Sequence, residues 1–113
     1  MSEDCLFCRI VRGELEAERV AEGEAWLAIR DINPQAPIHA LVLSREHVRN
    51  LSELSDPNLA GTLLLAAARV AEGEGIAADG YRVVANTNEA GGQTVPHLHL
   101  HVLGGRGMRW PPG

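Results

Sequence analysis

Between positions 97 and 103 the chain reads His97-Leu98-His99-Leu100-His101-Val102-Leu103, three histidines alternating with aliphatic residues. Successive side chains of a β-strand point to opposite faces. A strand here therefore lines one face with His97, His99 and His101 and the other with Leu98, Leu100 and Val102. The aliphatic face packs into a core while the imidazoles stand in a row. Imidazole titrates near neutral pH, ligates metals and serves as base or nucleophile. Three on one short strand face are hard to account for by packing alone.

The rest of the chain supplies a small α+β fold around this strand. Cys5 to Val11 reads as a short helix ending near Gly13. Arg19 to Ala21 and Ala25 to Arg30 are strand candidates joined by a Glu22-Gly23-Glu24 turn, and His39 to Leu43 is a third. Pro34 and Pro37 make the segment between them a loop. Ser55-Asp56-Pro57 carries the marks of a helix start, and the Leu/Ala-rich stripe that follows runs to about Gly73 or Gly75. Tyr81 to Asn86 is a fourth strand, Glu89 to Gln93 a glycine-containing loop, and the histidine strand closes at Gly104-Gly105. The expected class is α+β: a mostly antiparallel sheet of about five strands with one long and one short helix, in a single domain over 1–113.

Composition removes several functions. The chain has 113 residues and a net charge of -5, which disfavours a basic nucleic-acid surface. No apolar run reaches the length of a membrane span, and the acidic start Met1-Ser2-Glu3-Asp4 does not resemble a targeting signal. A cytoplasmic protein with neither nucleic-acid nor membrane partners is expected. All ten basic residues are arginine, so a Schiff-base or phosphate-loop lysine is excluded.

The histidine row has three readings: a polar wet face, a metal site, or a nucleophile with its acid. Gly91-Gly92-Gln93-Thr94 just upstream favours the third. Small residues let backbone N–H groups approach an anion, and a hydroxyl and an amide add donors. A histidine nucleophile suits attack on phosphorus, provided its second nitrogen is held in one tautomer. Arg106 is close in sequence, with its direction unfixed. Cys5 and Cys8 are two buried small apolar residues, a redox pair, or half of a zinc site completed by histidines such as His47 and His97. Asp31 is a solvated loop acid or a ribose-binding carboxylate. Leu6, Phe7, Ile10, Leu15 and Leu41 are core residues or the walls of a base pocket.

Taken together, these residues resemble the histidine triad (HIT) family. The triad itself, Cys5-Leu6-Phe7-Cys8-Arg9-Ile10, Asp31-Ile32-Asn33-Pro34-Gln35-Ala36-Pro37, Gly91-Gly92-Gln93 and the tail Trp110-Pro111-Pro112-Gly113 look like its HINT branch. The resemblance implies a homodimeric purine nucleoside phosphoramidase, in which the tail helps shape the partner's site. The alternatives are a dinucleoside polyphosphate hydrolase of the same fold and a non-enzymatic nucleotide-binding protein. By motif position His99 would be the nucleophile and His101 the phosphate contact that assists the leaving group. His39 and Thr94 would join their hydrogen-bond network, Thr94 standing where serine is commoner. Asn86 and Gln93 would lie near the phosphate, Asp31 at the ribose, and Leu6, Phe7, Ile10, Leu15 and Leu41 around the base. Zinc-containing members imply Cys5, Cys8, His47 and His97 as ligands of a structural zinc, with no cofactor needed for catalysis. Pro96 departs from the aromatic residue common before the triad.

Overall fold

A computed structural model describes residues 4–113; Met1-Ser2-Glu3, most of the acidic start, lies outside the described residues. Five strands form one antiparallel sheet. They are β1 (Arg19–Glu22), β2 (Trp26–Arg30), β3 (Ile38–Ser44), β4 (Tyr81–Val84) and β5 (His99–Gly104), in the order β1-β2-β3-β5-β4. Helix α1 (Leu6–Val11) precedes the sheet, and helix α2 (Pro57–Gly73) connects β3 to β4.

Local chemistry fixes both helices. The Asp56 side chain accepts from the Asn58 N–H at 2.9 Å, and Pro57 takes the first helical position, where its missing N–H costs nothing. Cys5 caps α1 in the same way, its sulfur accepting from the Cys8 N–H at 3.4 Å. Gly13, with φ +79°, turns the chain away after α1.

The sheet separates two apolar layers. Trp26, Ala28, Ala40, Val42, Leu100 and Val102 face α2 and meet its buried stripe of Leu59, Leu63, Ala66, Ala67, Val70 and Ala71. Leu27, Ile29, Leu41 and Leu43 face the other way and meet Phe7, Cys8 and Ile10 of α1. Helix α1 is much shorter than the sheet is wide, so it covers only part of this second face.

Two strand boundaries lie two residues from the sequence expectation, and one element was not expected. β4 ends at Val84 rather than Asn86. β5 begins at His99, so His97 and Leu98 precede the ladder. Pro96 has no N–H to give, the His97 N–H turns back to the Val95 carbonyl at 2.8 Å, and the Leu98 N–H goes to Val48 at 2.7 Å. A 3-10 turn at Leu51–Glu53, capped by the Asn50 side chain, was not anticipated. No helix among the described residues is long and apolar enough to cross a membrane.

Leu63 lies at the centre of the α2 contact and is 2% exposed. Leu63→Ala is expected to lower the unfolding free energy by about 2–5 kcal/mol, and Asp56→Ala by about 1 kcal/mol, both read from urea denaturation.

Candidate active site

Strand register assembles the histidines. In the β3–β5 pairing His101 lies opposite Leu41 and His99 opposite Leu43, while His39 lies opposite Leu103. Opposed residues share a face, so His39, His99 and His101 all project from the α1 side, with His39 and His101 as diagonal neighbours. His39 and His99 are buried and His101 is half-buried.

Fixed backbone groups decide which nitrogen of each ring carries its proton. His99 Nδ1 lies 2.6 Å from the His97 carbonyl oxygen. A carbonyl only accepts, so Nδ1 bears the hydrogen and Nε2 keeps its lone pair. The Gln35 N–H donates to His39 Nδ1 at 3.0 Å. His39 therefore carries its hydrogen on Nε2 and donates it to His101 Nδ1 at 2.9 Å. His101 in turn holds its hydrogen on Nε2. One carboxylate oxygen of Asp31 sits 3.4 Å from His39 Nε2, and the other accepts from the Asn33 N–H at 2.8 Å.

Burial keeps these rings neutral. It pushes His39 and His99 below the ordinary imidazole range, opposed in part by the Asp31 carboxylate and, for His99, by its bond to the His97 carbonyl. Burial, with His99 and His39 as neighbours, brings His101 down to about 4. Asp31, His39 and His101 place three donor atoms together. Cation binding there would need the lone pair of His39 Nε2, and hence a hydrogen on Nδ1 facing the Gln35 N–H. The tautomer chain opposes it.

These groups open onto a cavity of about 460 Å³ between α1 and the sheet, within the range of small-molecule sites. His99, His101, Thr94 and Asp31 stand on its wall, and Leu6, Phe7, Ile10, Leu15 and Leu41 line the apolar part. The structure thus brings together all the residues expected at base, ribose and chemistry, with His39 directly behind His101. Val95, Ile29, Ile32 and Ala17 also line the cavity and were missed. Their parity on β2 or their place beside Thr94 was the available signal for Ile29 and Val95.

Asn86 and Gln93 are not on the cavity wall. The Gln93 amide is consumed within the protein. Its Nε2 donates to the carbonyls of Arg49 (2.8 Å) and Val95 (3.0 Å), and its Oε1 accepts from Asn88 N–H (2.9 Å) and Asn50 Nδ2 (3.2 Å). Asn86 Nδ2 donates to the Gly91 carbonyl at 2.7 Å. The glycine loop also departs from its expected use as an anion cradle. The Gly92 and Gln93 N–H groups close turns onto Glu89 and Asn88 at 3.0 and 3.1 Å. Gly91 is required because a Cβ would strike the Thr87 carbonyl, and Gly92 because φ is +80°. The N–H groups of Thr94 and Val95, on residues that line the cavity, find no acceptor among the described residues. Arg106 points away and donates to the Gln35 and Gly107 carbonyls.

The other two histidines join the cysteines. His97 Nδ1 lies 3.2 Å from Cys5 Sγ and 3.4 Å from Cys8 Sγ, and His47 Nδ1 lies 3.2 Å from Cys8 Sγ. His97 Nε2 donates to the Ser44 carbonyl at 2.6 Å, which leaves the Nδ1 lone pair directed at the sulfurs. Burial and the adjoining Cys5 push the free Cys8 thiol up to about 11, a cost that a coordinated cation reverses. Tetrahedral coordination sets N···S edges of roughly 3.6 Å, close to the separations present. The four residues fit a metal ion, with the carbonyl of Ser44 orienting a ligand from behind.

A β-sheet that presents His99 and His101 with fixed tautomers beside an apolar cavity describes a histidine-triad site. The HIT domain model matches residues 12–108, and the chain belongs to that family. It is 50% identical over 115 residues to a HIT-like protein of Synechococcus elongatus, with both chains covered completely. A crystal structure of a HIT family hydrolase from Legionella pneumophila Philadelphia 1 superposes with a TM-score of 0.94 at 46% identity, covering 97% of this chain and 100% of that one. A HIT family hydrolase from Clostridium thermocellum gives 0.90 at 45%, with 95% of each chain covered.

The depressed His101 pKa has a stability consequence. The unfolded chain takes up this proton near pH 6.5, the folded one only near pH 4. Between those values the unfolded state binds more protons, so His101's contribution is complete above about pH 6.5 and is lost as pH falls toward 4. Thermal melts should show the midpoint falling over this window, with a smaller fall in His101→Asn. The His101 ring resonances should stay at their neutral positions down to about pH 5.

Proposed function

We propose that this HIT protein is a purine nucleoside phosphoramidase, hydrolysing the P–N bond of a nucleoside 5′-phosphoramidate through a nucleotidyl-His99 intermediate. The observation that carries this reading is the 2.6 Å bond from His99 Nδ1–H to the His97 carbonyl, which presents the Nε2 lone pair at the cavity. The HIT family hydrolases among its structural neighbours support hydrolysis.

In the first step the Nε2 lone pair forms a bond to phosphorus and the P–N bond breaks. Its electron pair goes to the leaving nitrogen, which takes a proton from solvent water and departs as an amine. His101, with its hydrogen on Nε2, and Thr94 both line the cavity and are the donors offered to the leaving nitrogen. The Thr94 and Val95 amides supply donors for the phosphoryl oxygens as negative charge shifts onto them. The ring of His99 becomes cationic on attack, and the His97 carbonyl stabilises it through Nδ1–H. In the second step water attacks phosphorus, the P–Nε2 bond breaks, and the lone pair returns to His99. The water's proton replaces the one that left with the amine. The net reaction is phosphoramidate plus water to nucleoside 5′-monophosphate plus amine.

Asp31 stands at the cavity wall to accept from the ribose hydroxyls, and the base lies among Leu6, Phe7, Ile10, Leu15 and Leu41. Gln93 positions the Thr94–Val95 segment rather than touching substrate. Two thiols and two imidazoles are the donor set of a closed structural zinc site, so zinc is assigned to Cys5, Cys8, His47 and His97. When bound it would hold α1 against the segment ahead of β5, and the proposed steps use only the chain's own residues. A homodimer is supported by an apolar hollow of about 330 Å³ whose lining includes Leu51, Leu64 and Val83, which are 51%, 59% and 37% exposed.

Steady-state hydrolysis of adenosine 5′-phosphoramidate tests the reading. His99→Ala should lose about 10³-fold or more in kcat while still binding AMP, and rapid quench of wild type should trap an AMP adduct on His99. Unchanged turnover in His99→Ala would refute the nucleophile. Preference for diadenosine triphosphate would move the substrate to dinucleoside polyphosphates. Sedimentation should give twice the chain mass, and a species of single-chain mass would remove the dimer.

A further inference from the structure

Helix α1 is six residues long and belongs to two sites at once. Its cap Cys5 and its residue Cys8 supply both sulfurs of the thiol–imidazole cluster. Its residues Leu6, Phe7 and Ile10 form part of the apolar cavity wall. A helix this short has no stability of its own in water, so its place is set by what it packs against on either side.

Two links run from the cluster to the reacting nitrogen. The first is His97, which turns Nδ1 toward Cys5 and Cys8 while its carbonyl holds His99 Nδ1–H. The second is Phe7, placed in sequence between the two cysteines. Its ring meets His97 edge-on at 5.9 Å and 78°, and His99 at 5.0 Å and 84°. Such edge contacts favour one ring orientation over others. The ring that packs against the metal-facing histidine thus also bounds the free rotation of His99.

We propose that metal binding at Cys5, Cys8, His47 and His97 and nucleotide binding in the cavity are thermodynamically coupled through helix α1, with Phe7 as the positioning residue between them. This rests on the nucleotide-site reading above. A divalent cation on the cluster fixes α1 and the His97 segment. A nucleotide then meets a wall that is already ordered and loses less free energy in ordering it. The coupling is reciprocal by linkage: the factor by which the cation tightens the nucleotide equals the factor by which the nucleotide tightens the cation.

The test uses Zn²⁺ and AMP with the full-length protein. Calorimetric titration of AMP into Zn²⁺-loaded and chelator-stripped protein should give at least about fivefold tighter binding to the loaded form. In a second measurement, which starts from loaded protein and so does not require the stripped form to stay folded, a chelator withdraws Zn²⁺ with and without saturating AMP. AMP should slow withdrawal from wild type, and the protection should be lost or much reduced in Phe7→Leu, which still takes up one Zn²⁺ per chain. Equal AMP affinities together with AMP-independent Zn²⁺ withdrawal would overturn the coupling and leave the phosphoramidase reading standing. Protection that persists in full in Phe7→Leu would overturn the role of Phe7. Failure of the wild type to take up Zn²⁺ would overturn the coupling at its first step. Failure of AMP to bind either form would overturn the nucleotide-site reading and the coupling with it.

Discussion

The hydrogen bond from His99 Nδ1–H to the carbonyl of His97 is the interaction on which the site depends. It spans only two residues, yet it needs a bend in the chain to form. In a regular strand the carbonyl of residue 97 would point sideways to a neighbouring strand. Here Pro96 cannot join a ladder, the His97 N–H turns back on Val95, and pairing with β3 begins at His99. The irregularity ahead of β5 frees the carbonyl to serve a side chain instead of the sheet. Because a peptide carbonyl has no protonated form in water, the tautomer it imposes does not change with pH.

The two-faced sheet explains why this arrangement holds its shape. On one face α2 buries a continuous aliphatic layer, in which Ala28, Val42, Leu100 and Val102 meet Leu63, Ala67 and Val70. That layer backs the hydrogen-bonded β3–β5 ladder with apolar side chains alone. The opposite face can then afford three histidines and an open cavity, since the strands that carry them are already anchored from behind. Burial among Leu41, Phe7 and the other wall residues keeps the imidazoles neutral, and a neutral His99 is the form with a lone pair to give.

Period-two alternation made the histidine face legible in the sequence, while His39 and Leu41 joined it only through the family resemblance and the strand register. Cap chemistry at Asp56-Pro57 located α2 to within a residue. Other features were not readable, for definite reasons. Gln93 carries a side chain suited to phosphate contact, but whether an amide faces a ligand or a loop depends on carbonyls distant in sequence, here Arg49. The glycines at 91 and 92 looked like an anion cradle and are needed for the turn instead. Local composition could not say that the open amides would fall on Thr94 and Val95, because that depends on which N–H groups the turn consumes first. The start of β5 was placed two residues early because alternation persists through His97 and Leu98 even though the ladder does not.

The tautomer chain through His39 has a chemical consequence beyond orientation. The Gln35 N–H occupies the lone pair of His39 Nδ1, so an added proton has no site on His39 unless that bond breaks. His39 consequently holds its one hydrogen on Nε2, between His101 and the Asp31 carboxylate. His101 Nδ1 is then filled as an acceptor, and the pair resists an extra proton as a unit. What His101 offers to the cavity is a neutral N–H donor of fixed direction. An arrangement of this kind stabilises charge on a phosphoryl group without itself becoming a fixed cation, which would hold a product phosphate as firmly as a transition state. Its donor strength grows only when negative charge accumulates opposite it, and that is the condition under which a preorganised dipole favours reaction over binding.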